Sequence, residues 1–262
     1  MSPVLDAVLR RDRVIVGAGL AGLVLLAWVY LLRMARAMAE MEAHAAMGMA
    51  MPQMQTWGMA DLWLLFLMWG VMMVAMMVPT AAPMIMLVAA VDRRRPDRSR
   101  PVARTGIFVL GYLTAWMAYS ALAVSAQWGL HAAALLSSAM VSTSRYLGGA
   151  ILIVAGIYQW TPLKRVCLTT CRSPMGFLMS EWRDGSAGAW VMGLRHGLYC
   201  VGCCWVLMAL LFVAGVMNLA WVALIAALVL VEKVVPGGHR VGQAAGFALL
   251  AAGIVVIMRT GG

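Results

Sequence analysis

The stretch whose reading decides the fold is "AGAWVMGLRHGLYCVGCCWVLMALLFVA", residues 187–214. At about 1.5 Å per residue, one helix of this length crosses a hydrocarbon core of roughly 30 Å with residues to spare. Arg195 is its one formal charge, yet His196, Cys200, Cys203 and Cys204 fall within nine residues of one another. An apolar helix that carries so many soft, polarisable side chains raises two questions: how many such helices there are, and what the sulfur and imidazole do.

The first question extends to the whole chain. Its 262 residues are 64% hydrophobic and 11% charged, a balance that excludes a soluble globular domain and marks a membrane chain. Seven stretches read as spans, near 14–32, 62–90, 105–126, 146–163, 187–214, 218–235 and 241–258. The expected fold is all-α: a polytopic transmembrane helical bundle of about seven spans with its N-terminus in the cytoplasm. Three regions follow: an N-terminal transmembrane anchor over 1–33, a Met/His-rich extracytoplasmic loop over 34–60, and a helical membrane domain over 61–262. The first apolar run is longer than a signal-peptide core, so it reads as a retained anchor.

The net charge of +10 does not point to nucleic acid, because its distribution is topological. If every span crosses, sixteen cations fall on one side, among them Arg93, Arg94, Arg95, Lys164, Arg165, Arg172 and Lys233. Arg33, Arg36, Arg145 and Arg259 fall on the other. Lys and Arg gather on cytoplasmic loops, so a multi-pass membrane protein with its N-terminus in the cytoplasm is expected, with the lipid bilayer as its first partner.

The second span carries "MWGVMMVAMMVPTAAPMIM", residues 68–86. Met68, Met72 and Met76 recur every four residues, and Met73 and Met77 share that spacing, which puts them along one helical face. Pro79 and Pro83 remove backbone donors at its far end. In residues 187–214, taking His196 as zero on an ideal helix, Cys200 lies about 40° away, Cys203 about −20° and Cys204 about 80°. Met192 falls on the same side. Cys167 and Cys171, again four apart, follow the fourth span. Thiolate and thioether donors with few carboxylates select Cu(I), with Zn(II) as the runner-up. The candidate metal ligands are therefore His196, Cys200, Cys203, Cys204, Cys167, Cys171, Met72, Met76, Met73 and Met77. Glu232, near the end of the sixth span, reads as a partner of adjacent Lys233 or an interfacial residue. No phosphate-cradling Gly motif is present, so ATP-driven pumping by this chain is excluded, and the reading is of a metal handler rather than an enzyme.

Four blocks carry a resemblance: "MWGVMMVAMMVPTAAPM" (68–84), "PLKRVCLTTCRSP" (162–174), "FLMSEWRDGSAGAWVMGLRHGLYCVGCCWVLMALLFVAGVMNLAW" (177–221) and "EKVVPGG" (232–238). Over most of residues 60–258 the chain resembles a bacterial family of uncharacterised, predicted metal-binding integral membrane proteins, the domain of unknown function numbered 2182. The resemblance implies an inner-membrane helical protein with Cys167, Cys171, His196, Cys200, Cys203 and Cys204 at that family's Cys/His positions. Cu(I) transport or delivery is the leading expectation, with a cuproenzyme or metallochaperone as partner. A membrane thiol–disulfide relay and a haem-linked or assembly role are the alternatives. Gly/Ala-rich spans also allow helices to approach closely, as in a homo-oligomer.

Overall fold

The computed structural model describes residues 3–46, 57–93, 101–133, 135 and 144–258. Among these residues the protein is built of α-helices, with no strand. In chain order they are α1 (Pro3–Ala46), α2 (Met59–Arg93), α3 (Pro101–Ala132), α4 (Arg145–Tyr158), α5 (Pro162–Arg172), α6 (Pro174–Glu181), α7 (Gly185–Ala209), α8 (Leu211–Ala214), α9 (Leu219–Val234) and α10 (Gly238–Met258). The all-α bundle expected from the apolar periodicity is the fold observed.

The count of spans changes. Among the described residues five helical stretches are long and apolar enough to cross a membrane: Val14–Glu40, Met59–Arg93, Ala103–Ala132, Gly185–Ala214 and Gly238–Met258. The run near 146–163 is a broken pair instead, with α4 and α5 bent by 62°. Its cause is local. Pro162 disfavours helical backbone at the preceding residue, and Thr161 is extended at φ −65°, ψ 146°. The Thr161 hydroxyl then caps the new helix by accepting from Lys164 N–H. The run near 218–235 forms a helix of 16 residues, about 24 Å long. Residues 34–46, expected in a loop, continue α1. Met47, Met49, Met51 and Met54 lie outside the described residues.

Glycines set the helix spacing. A Cβ on Gly197 of α7 would meet Tyr112 O at 2.8 Å and Ala115 Cβ at 2.7 Å on α3. Gly111 of α3 lies against the Trp190 and Leu194 backbone of α7, and Gly193 of α7 against the Phe108 and Tyr112 backbone of α3. Without side chains between them the two helices pack along their length, the small-residue mode of close helix approach. On the other flank, Gly253 of α10 faces the Gly149 carbonyl of α4, and Gly156 faces that of Gly246, each 2.9 Å from where a Cβ would sit.

The interior is dominated by the Met face of α2. Met68, Met72, Met73, Met76 and Met77 are all buried, as are Trp69, Tyr112 and Trp116. Trp69 Nε1 donates to Gln127 Oε1 at 2.7 Å, which ties α2 to α3 through a satisfied buried pair. Asp92, just beyond the expected second span of 62–90, is buried and paired with Arg104 at 3.4 Å. Arg104 also donates to the Arg183 carbonyl at 2.5 Å and lies over the Trp182 ring.

Candidate metal centre

The close approach of α3 and α7 brings Tyr112 over the cysteine-bearing turn of α7. The Tyr112 hydroxyl lies 3.0 Å from Cys200 Sγ and 3.1 Å from the Met77 carbonyl of α2. Pro79 and Pro83 leave the carbonyls of Ala75 and Pro79 without their helical donors, and polar groups gather on the Met77 carbonyl in the same stretch of α2. Thr80 Oγ1 donates to the Met77 carbonyl at 2.9 Å and accepts from Lys233 Nζ at 3.3 Å.

The thiols come from two helices. On α7, Cys203 and Cys204 both donate to the Cys200 carbonyl, at 3.1 and 3.0 Å. From α5, the Cys171 thiol lies near enough to Cys200 and Cys203 to interact with both electrostatically. Cys200, Cys203 and Cys204 are fully buried, whereas Cys171 is half-buried. Met77 Sδ stands 4.0 Å from Cys204 Sγ. The cluster therefore gathers four thiols and a thioether from α2, α5 and α7.

A buried cation completes it. Lys233 Nζ donates to Cys200 Sγ at 2.7 Å. The adjacent residue turns the other way: Glu232 pairs with Lys164 of α5 at 2.8 Å, both side chains almost fully buried. The Gln159 carbonyl oxygen also accepts from Lys164, and Arg172 binds the carbonyls of Glu232 and Val235 at 2.7 and 2.8 Å. Two cations expected on a solvated face, Lys164 and Lys233, are thus interior residues. Glu232 pairs with Lys164, not with its neighbour Lys233. A helix explains the split, because adjacent residues project about 100° apart.

Not every expected ligand joins the cluster. His196 sits one turn before Cys200 in an aromatic enclosure, its ring centroid 5.3 Å from Phe177, 5.9 Å from Tyr112 and 6.1 Å from Phe108. Its Nδ1 has no hydrogen-bond partner. Cys167 packs against Gly202, where a Cβ would lie 2.7 Å from its sulfur. Met72, Met73 and Met76 fill the apolar core. Met192 accepts from the Arg183 N–H at 3.3 Å, at the start of α7. Among the described residues no three His, Cys, Asp or Glu side chains are grouped to enclose a metal ion. The thiols are turned onto one another and onto the Cys200 carbonyl.

A family profile, PpoB2, described as a copper chaperone, matches residues 66–256, well over half of the chain. The chain belongs to the PpoB2 copper-chaperone family. The PpoB2 match begins in α2 and runs into α10, so it takes in every helix that contributes to the thiol cluster and leaves α1 outside. It agrees with the metal-binding part of the resemblance read in the sequence, and it describes the family by copper rather than as a domain of unknown function. No curated protein and no solved structure matches the chain.

Sequence reasoning passed over Tyr112 and Lys233. Lys233 had a signal: it follows Glu232 at the end of an apolar run, and ionisable residues at membrane depth mark functional sites by default. Tyr112 had none, because nothing in its own helix distinguishes it from a packing aromatic.

Proposed function

We propose that this protein is an integral membrane copper chaperone that carries Cu(I) as cargo on Cys171, Cys200 and Cys203, with Cys204 and Met77 beside them. The observation that carries the reading is the meeting of thiols from α5 and α7 around Cys200, under a buried ammonium. Thiolate and thioether donors suit Cu(I), which is satisfied by as few as two sulfur ligands. A rotation of two thiols away from the Cys200 carbonyl is enough to supply them. The donor set fits a soft monovalent ion better than Zn(II), which in structural sites takes four ligands in a tetrahedron.

Charge supports the same reading. Two thiolates and one Cu(I) carry a net charge of −1, which is costly to bury alone. The Lys233 ammonium offsets it, so the loaded site is neutral. The same ammonium hydrogen-bonds Cys200. Cys171, half-buried, is the thiol through which a donor protein hands over the ion or an acceptor takes it. Thiol-to-thiol exchange moves Cu(I) without oxidation or reduction, so no electron donor is required.

For the membrane, five long apolar helices, with the bent α4–α5 pair as a sixth, make up to six crossings. The excess of Lys and Arg near α5 and the end of α9 then puts the cluster towards the cytoplasmic face.

A competition titration with a chromogenic Cu(I) chelator tests the proposal on protein purified in detergent under anaerobic, reducing conditions. Wild type is expected to withdraw about one Cu(I) per chain, and Cys200→Ala/Cys203→Ala none. Equal withdrawal by both proteins would refute it. Copper-free protein with a specific disulfide would favour the thiol relay instead.

A further inference from the structure

A cavity lies on a different face of α5 from Cys167 and Cys171. Gln159, Lys164, Arg165, Arg172, His239 and Gln243 line this cavity of about 680 Å³ between α4, α5 and the start of α10. Its volume falls within the range of small-molecule sites. The lining is one-signed: among the described residues around it are Lys, Arg and His but no carboxylate, and Leu168 is its one large apolar residue. Glu232, the acid nearest to it, is already held by Lys164.

The walls are organised for an acceptor. Gln159 is 4% exposed, its Oε1 accepts from Lys164, and its Nε2 has no hydrogen-bond partner. A buried amide donor left unpaired is destabilising, by an amount comparable to a lost hydrogen bond. Arg172 is braced by the carbonyls of Glu232 and Val235, so its guanidinium stands at the wall without an acidic partner. Gly237, at φ +74°, turns the chain so that α10 starts at the rim with His239 in its first turn. The partial positive charge of a helix N-terminus adds to the field there. Arginine guanidinium groups, an unpaired amide donor and no acid together describe a receptor for a phosphate oxyanion. The volume leaves room for the rest of a phosphate-bearing molecule.

We infer that this cavity binds a phosphate group, through Arg165, Arg172, His239 and the Gln159 amide. The inference does not rest on copper: the cavity and the thiol cluster occupy different faces of α5. Two sources carry this chemistry, a phospholipid headgroup and a soluble phosphate, and the test separates them.

Full-length protein in a neutral maltoside is titrated with sodium phosphate against sodium chloride of equal ionic strength while its unfolding midpoint is followed. In parallel, the protein is offered phosphatidylglycerol or phosphatidylcholine and analysed by native mass spectrometry. Arg165→Gln/His239→Gln is the comparison, because both side chains are exposed and their loss leaves the ligand-free midpoint in place. A midpoint raised by phosphate but not chloride, with affinity lowered about ten-fold or more in the variant, identifies a free oxyanion. Retention of phosphatidylglycerol over phosphatidylcholine, lost in the variant, identifies a headgroup. A wild type that responds to neither probe, or a variant that responds as wild type does, overturns the site. Chelator-competition measurements of Cu(I) on the same variant should match wild type.

Discussion

Lys233 of α9 and Cys200 of α7 meet across 2.7 Å, an ammonium against a sulfur in the protein interior. Unit charges at about 4 Å interact by roughly 4 kcal/mol at an effective dielectric of 20. In the proposed bis-thiolate Cu(I) site, removing the ammonium therefore leaves a buried charge uncompensated. Lys233→Met is expected to weaken Cu(I) binding at least ten-fold, roughly 1.4 kcal/mol. Lys233→Arg, which keeps the charge, should restore part of it. Chelator competition on the three proteins measures both effects.

The neighbouring residue serves the frame. Glu232 and Lys164 form a buried pair, and breaking such a pair from one side costs about 3–5 kcal/mol because the other charge is stranded. Glu232→Gln should lower the unfolding free energy by that order. Lys164→Met/Glu232→Gln, which strands no charge, should recover most of it. Chemical unfolding in detergent supplies the comparison, and equal loss in single and double variants would contradict the pairing.

Helix spacing positions Tyr112. Gly197→Val would drive a side chain into the α3 backbone, with a cost of about 1–3 kcal/mol for overpacking. Gly106→Ala, where nothing lies within 4 Å, should be neutral or slightly stabilising, since glycine inside a helix is unfavourable by roughly 0.5–1 kcal/mol relative to alanine. Thermal midpoints of the two variants distinguish close packing from mere helix propensity.

The sequence and the structure agree where periodicity carries the information and part where a third dimension is needed. The Met face of α2 and the cysteine turn of α7 could be placed because an apolar helix repeats every 3.6 residues. The break at Pro162 lies inside an apolar run, and hydropathy alone reads through it. Burial of Lys164 and Lys233 was hidden for a related reason: each follows a hydrophobic stretch, where a cation ordinarily marks the solvated end of a span. His196 shares a helical face with the cysteines, yet Phe108, Tyr112 and Phe177 enclose its ring. A helical wheel fixes the direction of a side chain but not what the neighbouring helix puts there.

The five cysteines are not equivalent. Cys171 interacts electrostatically with Cys200 and Cys203, whereas Cys167 rests on Gly202. Cys171→Ser should reduce Cu(I) affinity about ten-fold or more, and Cys167→Ser by no more than about three-fold, since a hydroxyl is a poor ligand for a soft ion. His196→Phe, which keeps the aromatic enclosure filled, should retain the copper stoichiometry.

The most direct test is X-ray absorption at the copper edge on protein loaded with Cu(I) in detergent. The account predicts a monovalent edge and a first shell of two or three sulfur atoms, lost in Cys200→Ala/Cys203→Ala. A first shell of nitrogen and oxygen, or an identical sulfur shell in the variant, would contradict it.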